Sequence, residues 1–139
     1  MMFLSIIYLA LICFLIIATI IDIEKRIVPN WITFTMVFLG VLFYTFYPHE
    51  LALSFGWYFG IILILFALVV FIPQKIIGGG DLKLYAGTFA LIGDPILLLY
   101  IITLSNIFSF IIMKFKKKTN IAHVPFILIS TLLVFLLTV

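Results

Sequence analysis

Long apolar runs separated by short polar breaks organise this sequence. Residues 3 to 21 form an apolar run without a charged residue. As a helix rising about 1.5 Å per residue, this run is long enough to cross a hydrocarbon core of about 30 Å. It ends in the polar segment DIEKRIVPN, where Pro29 and Asn30 break the helix. Further apolar runs cover residues 31 to 47, 51 to 72, 95 to 113 and 123 to 139.

The segment from residue 81 to residue 93 is shorter than the other apolar segments and follows three glycines. As a helix it would rise only about 20 Å, less than a full crossing. A short helix is tolerated in a bilayer when its open end faces a wet cavity inside the protein, because unsatisfied backbone cannot face lipid. We therefore predict an all-α integral membrane protein with about six transmembrane helices, the fourth short and opening at the GGGD motif.

The composition supports a location in a lipid bilayer. Hydrophobic residues make up 67% of the chain and the mean hydropathy is +1.47, more apolar surface than a soluble domain of this length could bury. We expect one polytopic domain over residues 1 to 139. A cleaved signal peptide is the rival interpretation of the first run, but that run lacks a basic leader and an A-x-A-like cleavage site.

The charged and metal-binding side chains exclude several classes of function. The net charge of +3 is too small to indicate nucleic-acid binding. A single cysteine, Cys13, permits neither a disulfide framework nor a paired-cysteine metal site. We therefore expect no metal and no cofactor.

Lysine and arginine positions predict the orientation in the membrane. The first, third and fifth loops contain Lys25, Arg26, Lys75, Lys114, Lys116, Lys117 and Lys118, whereas the second and fourth contain only His49, Glu50 and Asp94. The odd-numbered loops are therefore expected in the cytoplasm and both termini outside. We interpret the lysine cluster from residue 114 to 118 as this topology signal, with binding to anionic lipid as the alternative.

Two carboxylates fall at the same predicted membrane boundary. Asp22 ends the first run and Asp81 begins the fourth segment, and ionisable groups at such a depth are costly enough to suggest function. Neighbouring carboxylates cannot both ionise easily, so one can accept a proton from water while the other donates a hydrogen bond to a scissile carbonyl. The glycines before Asp81 could let an extended substrate backbone lie against that loop. The plainer alternatives are that Asp81 caps a helix and that Asp22 belongs to a solvated loop.

These residues resemble the type IV prepilin peptidases and the related preflagellin peptidases, which are GxGD membrane aspartic proteases. Gly78, Gly79, Gly80 and Asp81 match the GxGD signature, and Lys83 and Leu84 continue it. The segment DIEKRIVPNWIT, with Asp22, Pro29 and Asn30, is similar to the family's other aspartate segment. VPFILIS, residues 124 to 130, resembles the opening of a C-terminal family motif without its second proline.

The resemblance implies that Asp22 and Asp81 are the catalytic pair, supported by the motif residues. It implies prepilin-like membrane proteins as substrates, including those of Flp/Tad-type systems, cut after a glycine at the cytoplasmic membrane face. No cysteine-bearing methyltransferase insert is present, so the chain resembles the short, peptidase-only form. For Lys83, electrostatic tuning of the carboxyl pair and simple capping or snorkelling both remain open.

Two other functional classes compete with this interpretation. A proton-coupled or ion-coupled transporter would use the same carboxylates, although no internal repeat is visible. A noncatalytic assembly subunit would process no substrate. Several other polar residues are given structural interpretations: Ser105, Asn106 and Ser109 as helix-to-helix hydrogen-bonding groups, Asp94 as a turn or helix start, His123 as an interfacial residue, and Glu24 as an inert loop residue.

Overall fold

Six α-helices make up the computed structural model, which describes residues 2–46, 53–71, 79–116 and 121–138. They are α1 (Met2–Lys25), α2 (Asn30–Phe46), α3 (Phe55–Phe71), α4 (Gly79–Ile92), α5 (Pro95–Lys116) and α6 (Val124–Thr138). No strand occurs in these ranges, so the predicted all-α class is confirmed. Several residues used for the predictions lie outside the described part: His49, Glu50, Lys75, Gly78, Lys117, Lys118 and the expected helix ends at 47, 51, 72 and 139.

The first helix continues about one turn further than its apolar run predicts. It ends at Lys25, and Arg26 follows with a positive φ of 52°, a left-handed conformation common just after helix ends. Asp22 therefore lies inside α1 and not at its end, because hydrogen bonding of a helix can continue past the last apolar residue. The break predicted at Pro29 is present, but Asn30 already belongs to α2.

The short helix α4 occupies the interior of the bundle. It packs against α1, α2, α3 and α5, and every residue from Leu84 to Ile92 is buried. It has 14 residues. It is not one of the two helices long enough to cross a membrane, and it is not one of the shorter apolar helices α2, α3 and α6. It ends at Gly93, whose positive φ of 71° suits a glycine after a helix. The sixth helix packs on α1 and α5 and closes the bundle.

Helices α2 and α4 run parallel at very close range. Contacts ascend both helices together, from Val28 beside Gly80 to Met36 beside Gly87 and Gly40 beside Ala90. The closest approach is at Gly40, where a Cβ atom would stand 2.2 Å from the Ala90 carbonyl oxygen. The same carbonyl accepts a hydrogen bond from Tyr58 Oη of α3 at 2.5 Å, which satisfies an acceptor in the last turn of α4.

The outer surface is apolar over most of the bundle. Large exposed side chains include Ile16, Ile20, Phe34, Phe38, Leu63, Val70, Leu99, Phe110 and Leu136. Apolar patches of this extent are typical of a surface that does not face water. Among the described residues, two helical segments, Ser5–Lys25 and Pro95–Lys116, are long and apolar enough to cross a membrane.

The substitution Gly40→Ala should destabilise the bundle. Alanine favours a helix over glycine by about 1 kcal/mol, but the new methyl group would collide with backbone, and overpacking of this kind costs about 1–3 kcal/mol. The net effect is a lower thermal unfolding midpoint in detergent. Gly60→Ala is the matched control, because nothing lies within 4 Å of a Cβ atom at Gly60 in α3. A Gly40→Ala midpoint equal to or above that of Gly60→Ala would contradict the close approach of α2 and α4.

Candidate active site

One end of the bundle brings together the last turn of α1 and the first turns of α2, α4 and α6. Val28 lies in the connection between α1 and α2. Its side chain packs against Gly80 in the first turn of α4, where a Cβ atom added to Gly80 would stand 3.2 Å from the Val28 side chain. At the same end, the backbone of Val124 at the start of α6 contacts Asp22 of α1. Three helix N-termini, each with partial positive charge, therefore meet where both aspartates lie.

Asp22 is buried and held by the sixth helix. Its side chain is 7% exposed, and its Oδ2 accepts a hydrogen bond of 3.2 Å from the backbone N–H of Val124. That N–H belongs to the first turn of α6 and has no acceptor within its own helix. The interpretation of Asp22 as part of a solvated loop is therefore wrong.

Asp81 lies in the first turn of α4, two residues after the helix begins. It is therefore not the residue that caps the helix. Helix α4 packs against α1, and its first turn lies at the same end of the bundle as the last turn of α1. Asp81 and Asp22 are therefore at the same end, where the charge of Asp22 acts on Asp81.

The motif glycines adopt a different conformation from the one the sequence suggests. Gly79 and Gly80 are helical, and the one glycine with positive φ in the described part of the chain is Gly93. The prediction of an open glycine loop is therefore wrong for these two residues. At Gly80 the reason for glycine is the close packing of Val28, because a side chain would press against it at 3.2 Å.

Lys83 bonds to the start of the second helix. Its Nζ donates a hydrogen bond of 2.9 Å to Oδ1 of Asn30, and Asn30 is the first residue of α2. The carbonyl of Pro29 accepts a hydrogen bond of 3.2 Å from the Ile32 N–H, closing that first turn. Lys83, Pro29 and Asn30 thus join the motif of α4 to the segment that follows Asp22.

A polar network that the sequence did not reveal lies beside the carboxyl pair. Tyr85 Oη is 2.7 Å from Ser105 Oγ and 3.0 Å from His123 Nε2. Burial lowers the pKa of His123, while the nearby Asp22 acts to raise it. The available signals were the spacing of Tyr85, one helical turn after Asp81, and the position of His123 directly before VPFILIS. His123 is half-buried, so its assignment to the membrane interface misses its contact with Tyr85.

The other polar residues divide between confirmed and wrong interpretations. Asp94 starts α5, as predicted, with its Oδ1 accepting hydrogen bonds from the N–H groups of Ile96 at 2.8 Å and Leu97 at 3.4 Å. Ser105 bonds across to Tyr85 of α4, as predicted. Asn106 does not bond to another helix in this way, because its amide donates to the Ile102 carbonyl of its own helix at 2.9 Å.

Comparison with known proteins places the chain in a family. No curated protein and no solved structure gives a significant match. Among the described residues, no group of three or more histidine, cysteine, aspartate or glutamate side chains is placed to hold a metal ion. A family model, described as the type IV leader peptidase family, matches residues 9–139. Because this match covers almost the whole chain, the protein belongs to the type IV leader peptidase family, a family of membrane-associated proteases.

Proposed function

We propose that this protein is an aspartic endopeptidase that removes the leader peptide of type IV prepilin-like precursors, including those of Flp/Tad-type systems, and that Asp22 and Asp81 are its catalytic pair. The observation that carries the proposal is the pairing itself. Two carboxyl groups 59 positions apart in the sequence, at residues 22 and 81, lie at the same end of the bundle, where the charge of Asp22 acts on Asp81. Membership of a leader peptidase family supplies the reaction class.

The two carboxyl groups divide the chemical work between them. Asp81 holds a proton and donates it as a hydrogen bond to the scissile carbonyl oxygen. Asp22 carries the charge and accepts a proton from the attacking water. Water oxygen bonds to the carbonyl carbon, the tetrahedral intermediate collapses, and the proton passes to the leaving amine. The products are one carboxyl terminus and one amino terminus.

The proposed membrane arrangement follows from the apolar surface and the positions of the basic residues. Six helices lie in the bilayer of the cytoplasmic membrane, with α4 enclosed as a short inner helix. Lys25, Arg26, Lys83, Lys114 and Lys116 lie toward the end of the bundle that carries the aspartates, which supports a cytoplasmic active site and external termini.

This arrangement also fits the proposed substrates. The apolar helix of a precursor can approach through lipid, while its basic leader stays in the cytoplasm and is cut off after a glycine. The short connection of residues 26 to 29 between α1 and α2 supports a single peptidase domain without a methyltransferase insert at that position.

Replacement of either aspartate should abolish leader removal. The test is co-expression with a prepilin-like precursor from the same genome, with precursor size followed in membranes for the parent, Asp22→Asn and Asp81→Asn. Asparagine nearly preserves the shape of aspartate and removes its ionisation, so both variants should lose at least about 100-fold in cleavage rate. Asp94→Asn is the matched control, because asparagine also caps helices well and Asp94 lies at the other end of the bundle.

The outcomes of this assay separate the functional classes. Cleavage after a glycine by the parent and Asp94→Asn, but by neither catalytic variant at normal protein level, supports the dyad. Equal processing in all four would refute it. Absence of processing by the parent, together with proton or ion flux that requires Asp22, would favour a transporter.

The hydrogen bond from the Val124 N–H to Asp22 can be removed by a substitution that leaves every charged side chain in place. Val124→Pro eliminates the donating N–H at the first position of α6, where proline is tolerated. Leader cleavage should fall about 10-fold, in line with the 0.5–1.5 kcal/mol of a typical hydrogen bond and the larger value when one partner is charged. Val124→Ala is the control, because it keeps the N–H and also shortens the buried side chain. A proline variant as active as the alanine variant would show that this bond does not contribute to catalysis.

A further inference from the structure

His123 is joined to the carboxyl pair by its backbone and by its ring. Its carbonyl oxygen accepts hydrogen bonds from the N–H groups of Phe126 at 2.9 Å and Ile127 at 3.3 Å, so His123 begins the first turn of α6. The next residue, Val124, donates its N–H to Asp22. The ring of His123 bonds to Tyr85, whose position in α4 is one turn after Asp81. His123 therefore connects the turn that donates to Asp22 with the helix that carries Asp81.

The hydrogen bonds of the network run in one direction. Ser105 Oγ donates to the carbonyl oxygen of Ile102 at 3.0 Å, and a hydroxyl group has one hydrogen to donate. Tyr85 Oη must then donate to Ser105 Oγ, and His123 Nε2–H must donate to Tyr85 Oη. Nε2 therefore carries a hydrogen in both the neutral and the protonated ring. The second proton can bind only at Nδ1, and its binding leaves the network intact.

The charges around His123 come from the helices that carry the aspartates. Asp22 of α1 acts on the ring directly. From α4 the ring meets Tyr85, which in turn lies within electrostatic range of Asp81. The fifth helix contributes the uncharged Ser105, and its basic residues Lys114 and Lys116 are exposed. Asp22 is thus the group whose charge a protonated His123 would favour.

We propose that His123 is a positioning residue of the leader peptidase reaction: Tyr85 fixes its tautomer and orientation, and the ring gains a proton at Nδ1 in acid, which places a positive charge near Asp22. This inference rests on the proposed function of Asp22 and Asp81. In the neutral range the ring is uncharged and fixes the start of α6. As the pH falls, the ring takes up a proton, and its positive charge then acts on Asp22. Leader cleavage is therefore expected to persist to lower pH than it would without this charge.

The first test is the pH dependence of leader cleavage by the parent and His123→Gln. Glutamine can still donate an N–H to Tyr85 but gains no charge in acid. The acid-side midpoint of kcat/KM should rise by about one pH unit, the effect of one nearby charge at the surface of a protein. The ratio of acidic to neutral rate should then fall about tenfold. A purely structural role would lower the rate by the same factor at every pH, and an unchanged acid-side midpoint would overturn the proposal.

A second measurement does not depend on cleavage. The ¹⁵N NMR signals of labelled histidine report which ring nitrogen carries hydrogen, and the signal missing from His123→Gln identifies His123. The neutral ring should carry its hydrogen on Nε2 in the parent, whereas Tyr85→Phe should show both tautomers. Asp22→Asn should make His123 titrate at lower pH, because the charge that raises its pKa is gone. A parent ring with hydrogen on Nδ1, or a titration insensitive to Asp22→Asn, would contradict the proposal.

The two measurements separate failure of this inference from failure of the proposed function. Absence of cleavage by the parent would refute the peptidase function while the NMR result still tests the network. Cleavage with an unchanged acid-side midpoint in His123→Gln would refute the role of His123 and leave the aspartic dyad intact.

Discussion

The hydrogen bond between the Val124 N–H and the Asp22 carboxylate is the interaction on which the site depends. It joins residues 102 positions apart and ties the first helix to the last. Each partner needs the other, because a buried carboxylate and an unpaired N–H in the first turn of a helix are both costly. An apolar bundle can therefore keep an acid group at this depth. The same contact places the start of α6, and with it His123, beside Asp22.

The depth and environment of Asp81 have a different origin. It is carried by α4, which the glycine contacts with α2 bring into the middle of the bundle. The Lys83–Asn30 bond and the Val28–Gly80 contact then fix the first turn of α4 against the segment after Asp22. Asp22 is held by the start of α6, whereas Asp81 is held by the packing of α4. Two chemically identical side chains thus lie in different environments, which suits the proposed division of work between them.

The sequence predicted those features that depend on hydrophobic pattern and topology. The helical class, the six segments and the location of Asp22 and Asp81 at one end of the bundle follow from run lengths and from the alternation of helix direction. The pattern could not predict that α1 continues past Asp22 or that Gly79 and Gly80 are helical, because backbone hydrogen bonding and a neighbour such as Val28 decide these points. It also missed the Tyr85–His123 bond. A tyrosine and a histidine 38 positions apart carry no shared signal until α4 and α6 are packed.

The location of the polar groups at one end also explains how the bundle combines a stable fold with an acidic site. The far end is closed by ordinary devices, such as the Asp94 cap of α5 and Gly93 after α4. At the site end, by contrast, Asp22 accepts a hydrogen bond from the backbone N–H of Val124. Tyr85 and His123 form a hydrogen-bonded network nearby, and none of these groups brings a permanent charge into the interior. The permanent positive charge of Lys83 is instead bonded to Asn30, where it joins the first turn of α4 to the start of α2.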